Sequence, residues 1–310
     1  MTRRVVATDY GGPEVLALQP IKLPLLDGRQ VLVDVKAAGA NPIDYKRYSG
    51  QMGNDPDALP MPIGMEVAGV IAAVDANISG FTGPLHVGDA VIAGPMLGGY
   101  ADRVLVDADD VGHKPATLSF EQASGLLLAG GTAWHLLTAT GVDDSDTVLI
   151  HGAAGGVGLI AVQLAVARGA KVVATASAAR HEQLRRHGAV PVEYGPGLAD
   201  RVRAHGTVNV ALDLVGTDEA LDTSVELVSD RSRIATIAGF GRAADLGIAA
   251  LTGDGDGAAA RSAARPKLVE LAAAGELKVF VDKKFTLDKA ADAHRYLRQG
   301  HARGKVVLVP

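Results

Sequence analysis

The 310-residue chain contains no cysteine. That excludes disulfides, a cysteine nucleophile and every thiolate metal site, and it suits a cytoplasmic protein. Aromatic residues make up only 4% of the chain, whereas alanine, glycine and valine abound, the composition of a tightly packed α/β protein. The net charge is −5 and no dense Lys/Arg run occurs, so neither nucleic acid nor an anionic membrane is indicated as a partner. No uninterrupted apolar run reaches the roughly 18 residues of a membrane span. The N-terminal residues 1–10 carry two arginines and too few apolar residues for a secretory signal. None of the six tyrosines has lysine four residues on, which disfavours a short-chain dehydrogenase. No Gly-x-Ser-x-Gly occurs, which disfavours a serine hydrolase. The nine histidines include no His-x-x-x-His pair.

What is present is organised around residues 148–177. A short apolar run, Val148 to Ile150, reads as a buried strand. The turn Ala153-Ala154-Gly155-Gly156-Val157-Gly158 follows, then an apolar helical stretch to Ala167 and a second strand over 171–176. Strand, glycine turn, helix and strand in that order open a doubly wound dinucleotide-binding (Rossmann) sheet. A diphosphate needs close approach to the turn and to the free amides of the helix N-terminus. Side chains at Gly155 or Gly156 would block it, and one at Gly158 would push helix from strand. The match to G-x-G-x-x-G is imperfect, with alanine in first place. A P-loop is excluded because no Lys-Ser or Lys-Thr follows.

Residues 1–118 show short β-like runs at 4–7, 15–18, 31–35, 67–74, 90–93 and 100–106, separated by Gly, Pro and Asp, the pattern of a small barrel-like domain. Asn41 to Gly50 reads as one or two helical turns with proline first. Residues 119–265 alternate helix with strands at 148–151, 171–176, 190–193, 208–213 and 233–238, the βαβ signature of a parallel sheet. Residues 241–265 read as a Gly/Ala/Asp-rich surface loop; Asp254-Gly255-Asp256-Gly257 lacks the closing glutamate of a calcium site. Residues 266–310 give a helix, a strand near 279–285, a helix over 288–297 and a terminal strand over 305–309.

In this order Gly39-Ala40-Asn41-Pro42-Ile43-Asp44, Gly64-Met65-Glu66, the run 87–91, Gly98-Gly99-Tyr100-Ala101, Thr132-Ala133-Trp134, 153–158 and 304–308 run end to end. The chain thereby resembles the zinc-free quinone oxidoreductases of the medium-chain dehydrogenase/reductase superfamily. The resemblance implies a GroES-like, barrel-like catalytic domain (1–118), a Rossmann domain (119–265) and a C-terminal return to the first (266–310), with the active site in the cleft between domains. Where zinc members have ligands, this chain has Asn41, Met65 and, approximately, Leu128, so no metal is expected.

The resemblance places Asn41 and Thr132 beside a nicotinamide ring, and Tyr45 and Tyr48 on the substrate-lining segment, either able to hydrogen-bond a substrate oxygen. Asp44 and Glu66 recur in the family. Cofactor contacts are expected at Asn41, Thr132, Ala154, Gly155, Gly156, Val157, Gly158, Ser177, Arg180, Tyr194, Val215, Ala238 and Gly239. The cofactor is expected to be NADPH. The second strand ends at Ser177 without the acid that binds both ribose hydroxyls of NAD, and Arg180 follows. Tyr194 matches a tyrosine near the same phosphate in similar reductases. The implied reaction is hydride transfer to a quinone or an α,β-unsaturated carbonyl. Enoyl-thioester reduction, or NADPH binding without turnover, stands as the alternative. Similar proteins form homodimers through Rossmann edge strands, and residues 233–238 are the candidate edge, with Ile248 to Leu251 nearby.

Overall fold

Buried Val31, Val33 and Val35 alternate with half-buried Leu32 and Asp34 and exposed Lys36, the two-residue period of a strand with one face in a core. The strand they belong to, Gln30–Ala40, carries the first unit. The structure is a computed structural model that describes residues 2–300 and 302–310. It has two units, Met1–Leu128 with Arg265–Pro310, and Ala129–Ala264. The first contains β1 (Thr2–Ala7), β2 (Leu16–Ile21), β3 (Gln30–Ala40), α1 (Pro42–Tyr48), β4 (Met61–Pro62), β5 (Val67–Val74), β6 (Ser79–Gly80), β7 (Gly83–Pro84), β8 (Ala90–Ala93), β9 (Arg103–Asp107), β10 (Val111–His113) and α2 (Phe120–Ala123). Helix α3 (Leu127–Ala139) follows.

The second unit is one sheet of six parallel strands: β11 (Thr147–His151), β12 (Lys171–Thr175), β13 (Val190–Val192), β14 (Val210–Asp213), β15 (Ile234–Thr236) and β16 (Ala249–Ala250). Between and after them run α4 (Gly156–Ala167), α5 (His181–Arg186), α6 (Leu198–Arg203), α7 (Asp218–Leu227), α8 (Phe240–Leu246) and α9 (Asp256–Ala273). The strand order is β13-β12-β11-β14-β15-β16, the doubly wound order 3-2-1-4-5-6. Its core includes Leu149, Val173, Ala211, Leu221 and Ile234.

Two expectations fail here. Residues 241–265 are not a loop: they contain α8, β16 and most of α9. Alanine and arginine from Ala258 to Arg265 have high helix propensity, which outweighs the glycines read as loop signals. The stretch 233–238 is not an edge, because β15 pairs with β14 on one side and β16 on the other; the edges are β13 and β16.

The chain then gives β17 (Val281–Thr286), α10 (Ala290–Arg298) and β18 (Lys305–Val309). Strand β18 adds antiparallel to the end of β3, with Val306 opposite Ala40, and β17 adds parallel to β18. The order in this sheet is β10-β8-β5-β3-β18-β17, with β9 also paired to β3. Its core includes Val31, Val33, Ile71, Tyr100 and Leu308. Residues 119–128, expected with the second domain, pack in the first unit. Gln122 Nε2 donates to the Val279 carbonyl (3.3 Å) and the Leu128 amide donates to Glu66 (3.0 Å). Arg265 also belongs there, donating to the Gly94 carbonyl at 3.0 Å. Among the described residues no helix is long and apolar enough to cross a membrane.

Candidate active site

In the second unit the expected cofactor positions gather at one end of the sheet. Ala154 to Gly158 follow β11, Ser177 and Arg180 follow β12, and Tyr194 follows β13. Val215 follows β14, and Ala238 and Gly239 follow β15. All lie at or just beyond the carboxyl ends of five parallel strands, where open α/β sheets bind ligands.

The glycine turn fits a diphosphate. Gly155 caps α4 with no side-chain hydrogen bond, so the first-turn amides are left for a partner outside the helix. A Cβ at Gly155 would come no nearer than 3.4 Å to other protein atoms, so what it would fill is the approach to those amides. A Cβ at Gly158 would lie 2.3 Å from the Gly152 carbonyl oxygen, which keeps helix and turn in contact only while the residue is glycine.

A buried polar link that the sequence did not reveal holds the neighbouring strand ends. The Asp213 carboxylate accepts the amides of Val215 (3.1 Å) and Gly216 (2.9 Å) and the Thr236 hydroxyl (2.6 Å). The Thr236 oxygen in turn accepts the amides of Ala238 (3.0 Å) and Gly239 (2.7 Å). The amides of Val215, Ala238 and Gly239 are therefore engaged within the protein. Gly239 is also buried, with its carbonyl accepting the Arg242 amide at 3.1 Å, so Val215 and Ala238 are the ones with surface to offer. His151, at the end of β11, is 1% exposed. Burial lowers it to about 4 against the opposing charge of Asp213, so the ring is neutral near pH 7.

Ser177 and Arg180 are half-buried at the turn after β12. Tyr194 is 56% exposed. Its loop is clamped by Arg201, whose guanidinium donates to the carbonyls of Glu193 (3.0 Å), Pro196 (2.7 Å) and Gly195 (2.7 Å). Glu219 accepts the Gly195 amide at 3.0 Å. Only the tyrosine had a sequence signal; the clamp arises from helices α6 and α7. Thr132 lies within α3 and is buried.

In the first unit, Asn41, Asp44, Tyr48, Glu66, Tyr100, His294 and Lys305 form a buried polar cluster. Pro42 starts α1, and the Asp44 carboxylate at the third helical position accepts the Asn41 amide at 2.9 Å. The same carboxylate accepts the Tyr100 hydroxyl at 2.8 Å. His294 joins both tyrosines, with Nε2 at 3.1 Å from Tyr100 and Nδ1 at 2.7 Å from Tyr48. Tyr48 is thus a correction: it is 1% exposed, stacked on His294 with its hydroxyl taken, and belongs to the core. Tyr45, a turn earlier, is half-buried, and burial raises its hydroxyl above the usual range. The Asn41 side chain is engaged by Glu66 and Lys305. Among the described residues no cluster of three or more His, Cys, Asp or Glu side chains is placed to hold a metal ion.

Residues 27–138 match the family described as alcohol dehydrogenase GroES-like domain, and residues 191–308 the family described as zinc-binding dehydrogenase. An Arabidopsis thaliana NADPH-dependent alkenal/one oxidoreductase is 32% identical over 320 residues, covering 98% of this chain and 78% of that protein. A Pseudomonas aeruginosa quinone oxidoreductase is 32% identical over 336 residues, covering all of both. Among solved structures, Escherichia coli quinone oxidoreductase complexed with NADPH superposes with a TM-score of 0.85 at 30% identity, covering all of both chains. With curated relatives of this identity spanning its full length, the chain belongs to the quinone oxidoreductase family of the medium-chain dehydrogenase/reductase superfamily.

Proposed function

We propose that this protein is an NADPH-dependent oxidoreductase that reduces a quinone or an α,β-unsaturated carbonyl, independently of zinc. The observation that carries the reading is the convergence of the glycine turn, Ser177, Arg180, Tyr194, Val215, Ala238 and Gly239 on five consecutive strand ends of the parallel sheet. The printed activities of the Arabidopsis and Pseudomonas relatives and the NADPH of the Escherichia coli structure agree with it.

Bound NADPH supplies a hydride from its nicotinamide C4. The amides at the start of α4 hold the diphosphate. Ser177, Arg180 and Tyr194 hold the 2′-phosphate. Thr132 and Asn41 meet the nicotinamide, and Val215, Ala238 and Gly239 line the remainder. Tyr45 donates a hydrogen bond to the substrate oxygen, a role its raised pKa suits because the hydroxyl stays protonated. Asn41, Met65 and Leu128 offer an amide, a thioether and an alkyl chain, a poor donor set for zinc.

NADPH oxidation with a quinone, an enone and an enoyl thioester tests the reading. Turnover of the quinone or enone is expected, unchanged after dialysis against a strong chelator. Tight NADPH binding with no turnover on any acceptor would instead identify a cofactor-binding protein without enzymatic activity. The protein is further proposed to be a cytoplasmic homodimer; lack of cysteine suits the compartment, and the open edge at β16 suits pairing.

A further inference from the structure

Three chain segments far apart in sequence meet around the Asn41 side chain. Asn41 directly follows β3, Glu66 directly precedes β5, and Lys305 opens β18. Lys305 Nζ donates to Asn41 Oδ1 and, at 2.9 Å, to Glu66 Oε1. Asn41 Nδ2 donates to Glu66 Oε1 at 2.9 Å and to the Gly39 carbonyl at 3.3 Å. Glu66 Oε2 accepts the Leu128 amide at 3.0 Å. The three side chains close a triangle that is almost dry, with Asn41 3%, Glu66 1% and Lys305 4% exposed. The backbone makes room for it: a Cβ at Gly39 would sit 2.6 Å from Glu66 Oε1 and 2.2 Å from the Ser124 carbonyl oxygen.

This arrangement fixes which end of the amide is which. An ammonium only donates and a carboxylate only accepts. The amide oxygen must therefore face Lys305 and the nitrogen Glu66; rotating the amide by half a turn would set NH2 against ammonium and oxygen against carboxylate. Both Nδ2 hydrogens are spent, on Glu66 and Gly39. The Asp44 amide bonds the Asn41 backbone carbonyl at 3.0 Å. With both hydrogens used, Asn41 can meet a further partner only through Oδ1, as an acceptor and not as a donor.

We propose that Lys305 and Glu66 are positioning residues that lock the Asn41 amide as an acceptor for the carboxamide NH2 of a bound nicotinamide. The ion pair thereby selects a ring that carries a primary amide over one that carries a ketone. The inference rests on the reading that Asn41 meets the nicotinamide.

Dissociation constants of NADPH and of its reduced 3-acetylpyridine analogue, which keeps the carbonyl and loses the NH2, test it by fluorescence titration. The proteins are wild type, Asn41→Ala and the double variant Lys305→Met with Glu66→Gln. Removing both charges together leaves no buried unpaired ion, and the glutamine accepts either orientation of Asn41. Wild type is expected to prefer NADPH by about three- to tenfold, the worth of one neutral hydrogen bond. Both variants are expected to lose the preference, the double variant because a freed amide can turn and donate to the ketone. Preference lost in Asn41→Ala but kept in the double variant overturns the positioning role and leaves Asn41 at the nicotinamide. No preference in wild type, or one that survives Asn41→Ala, overturns the placement of Asn41 itself.

Discussion

Arg180 ends the short turn after β12, three residues beyond Ser177. A charge-assisted hydrogen bond from it to the 2′-phosphate contributes about 1.5–3 kcal/mol, so Arg180→Ala should weaken NADPH roughly ten- to hundredfold. NADH has no such phosphate, and its dissociation constant should barely move; equal losses for the two cofactors would show the arginine misassigned. Asp44 yields a second prediction. Burial lifts its carboxyl to about 7, although the Asn41 amide, the Tyr100 hydroxyl and Lys305 favour the ionised form. Unfolded, it ionises near pH 4. Between about pH 4 and 7 the folded state therefore holds a proton that the unfolded state has lost, and this contribution to stability falls as pH rises. His151 and His294 act in the opposite sense. Burial lowers both to about 4, so they stay neutral while the unfolded rings charge near 6.5, and their contribution grows as pH rises to that value. The Asp44 part is isolated by comparing urea unfolding of wild type and Asp44→Asn across the window. Wild type should lose on the order of 1–4 kcal/mol relative to the variant from pH 4 to 7; a flat difference would mean that Asp44 is ionised throughout. His151 and His294 had no sequence signal of their own. His294 meets Tyr48 across 246 positions and Lys305 meets Asn41 across 264, so Tyr48 read as a substrate ligand until the fold buried its hydroxyl.

The glycine turn separates two demands on one element. At Gly158 an added methyl collides with backbone, the Gly152 carbonyl oxygen at 2.3 Å, so Gly158→Ala must shift α4 and should cost about 1–3 kcal/mol in stability. At Gly155 the backbone is extended, with φ −80° and ψ 179°, and a methyl clears its neighbours. Gly155→Ala should leave the melting temperature close to wild type while weakening NADPH, because the methyl stands where the diphosphate must approach. Melting curves and titrations of both variants decide this; a Gly155→Ala protein that binds normally contradicts the assigned approach. This element was legible because its signal is local: apolar strand, small residues, apolar helix. Strands β5 and β8 were legible to the residue for the same reason, being apolar runs bounded by turn residues. Strand β3 outran its expected range, 31–35, because Ala37 to Ala40 are buried without a break and the alternation disappears. Strand β16, two alanines long, exists only through pairing with β15, and nothing local marks it.

At the scale of the molecule, the position of β16 changes the argument for self-association. The sheet of the second unit has two edges, β13, which carries Pro191, and β16, with Ala249 half-buried and Ala250 exposed. Neither a charge nor a proline sits on β16 itself, and those are the usual guards of an open edge. Two copies placed edge to edge would satisfy its free backbone groups by continuing the hydrogen-bond ladder. The expected edge at 233–238 offered no such groups, since β15 is paired on both sides. Sedimentation at micromolar concentration should therefore show a species of twice the 31.8 kDa chain mass. Ala250→Lys sets a charge on the edge of each copy and should shift the equilibrium toward monomer, leaving NADPH affinity intact because residue 250 is not among the cofactor positions. A wild-type protein that sediments as a single species at the chain mass contradicts the dimer, and a dimer indifferent to Ala250→Lys places the interface elsewhere.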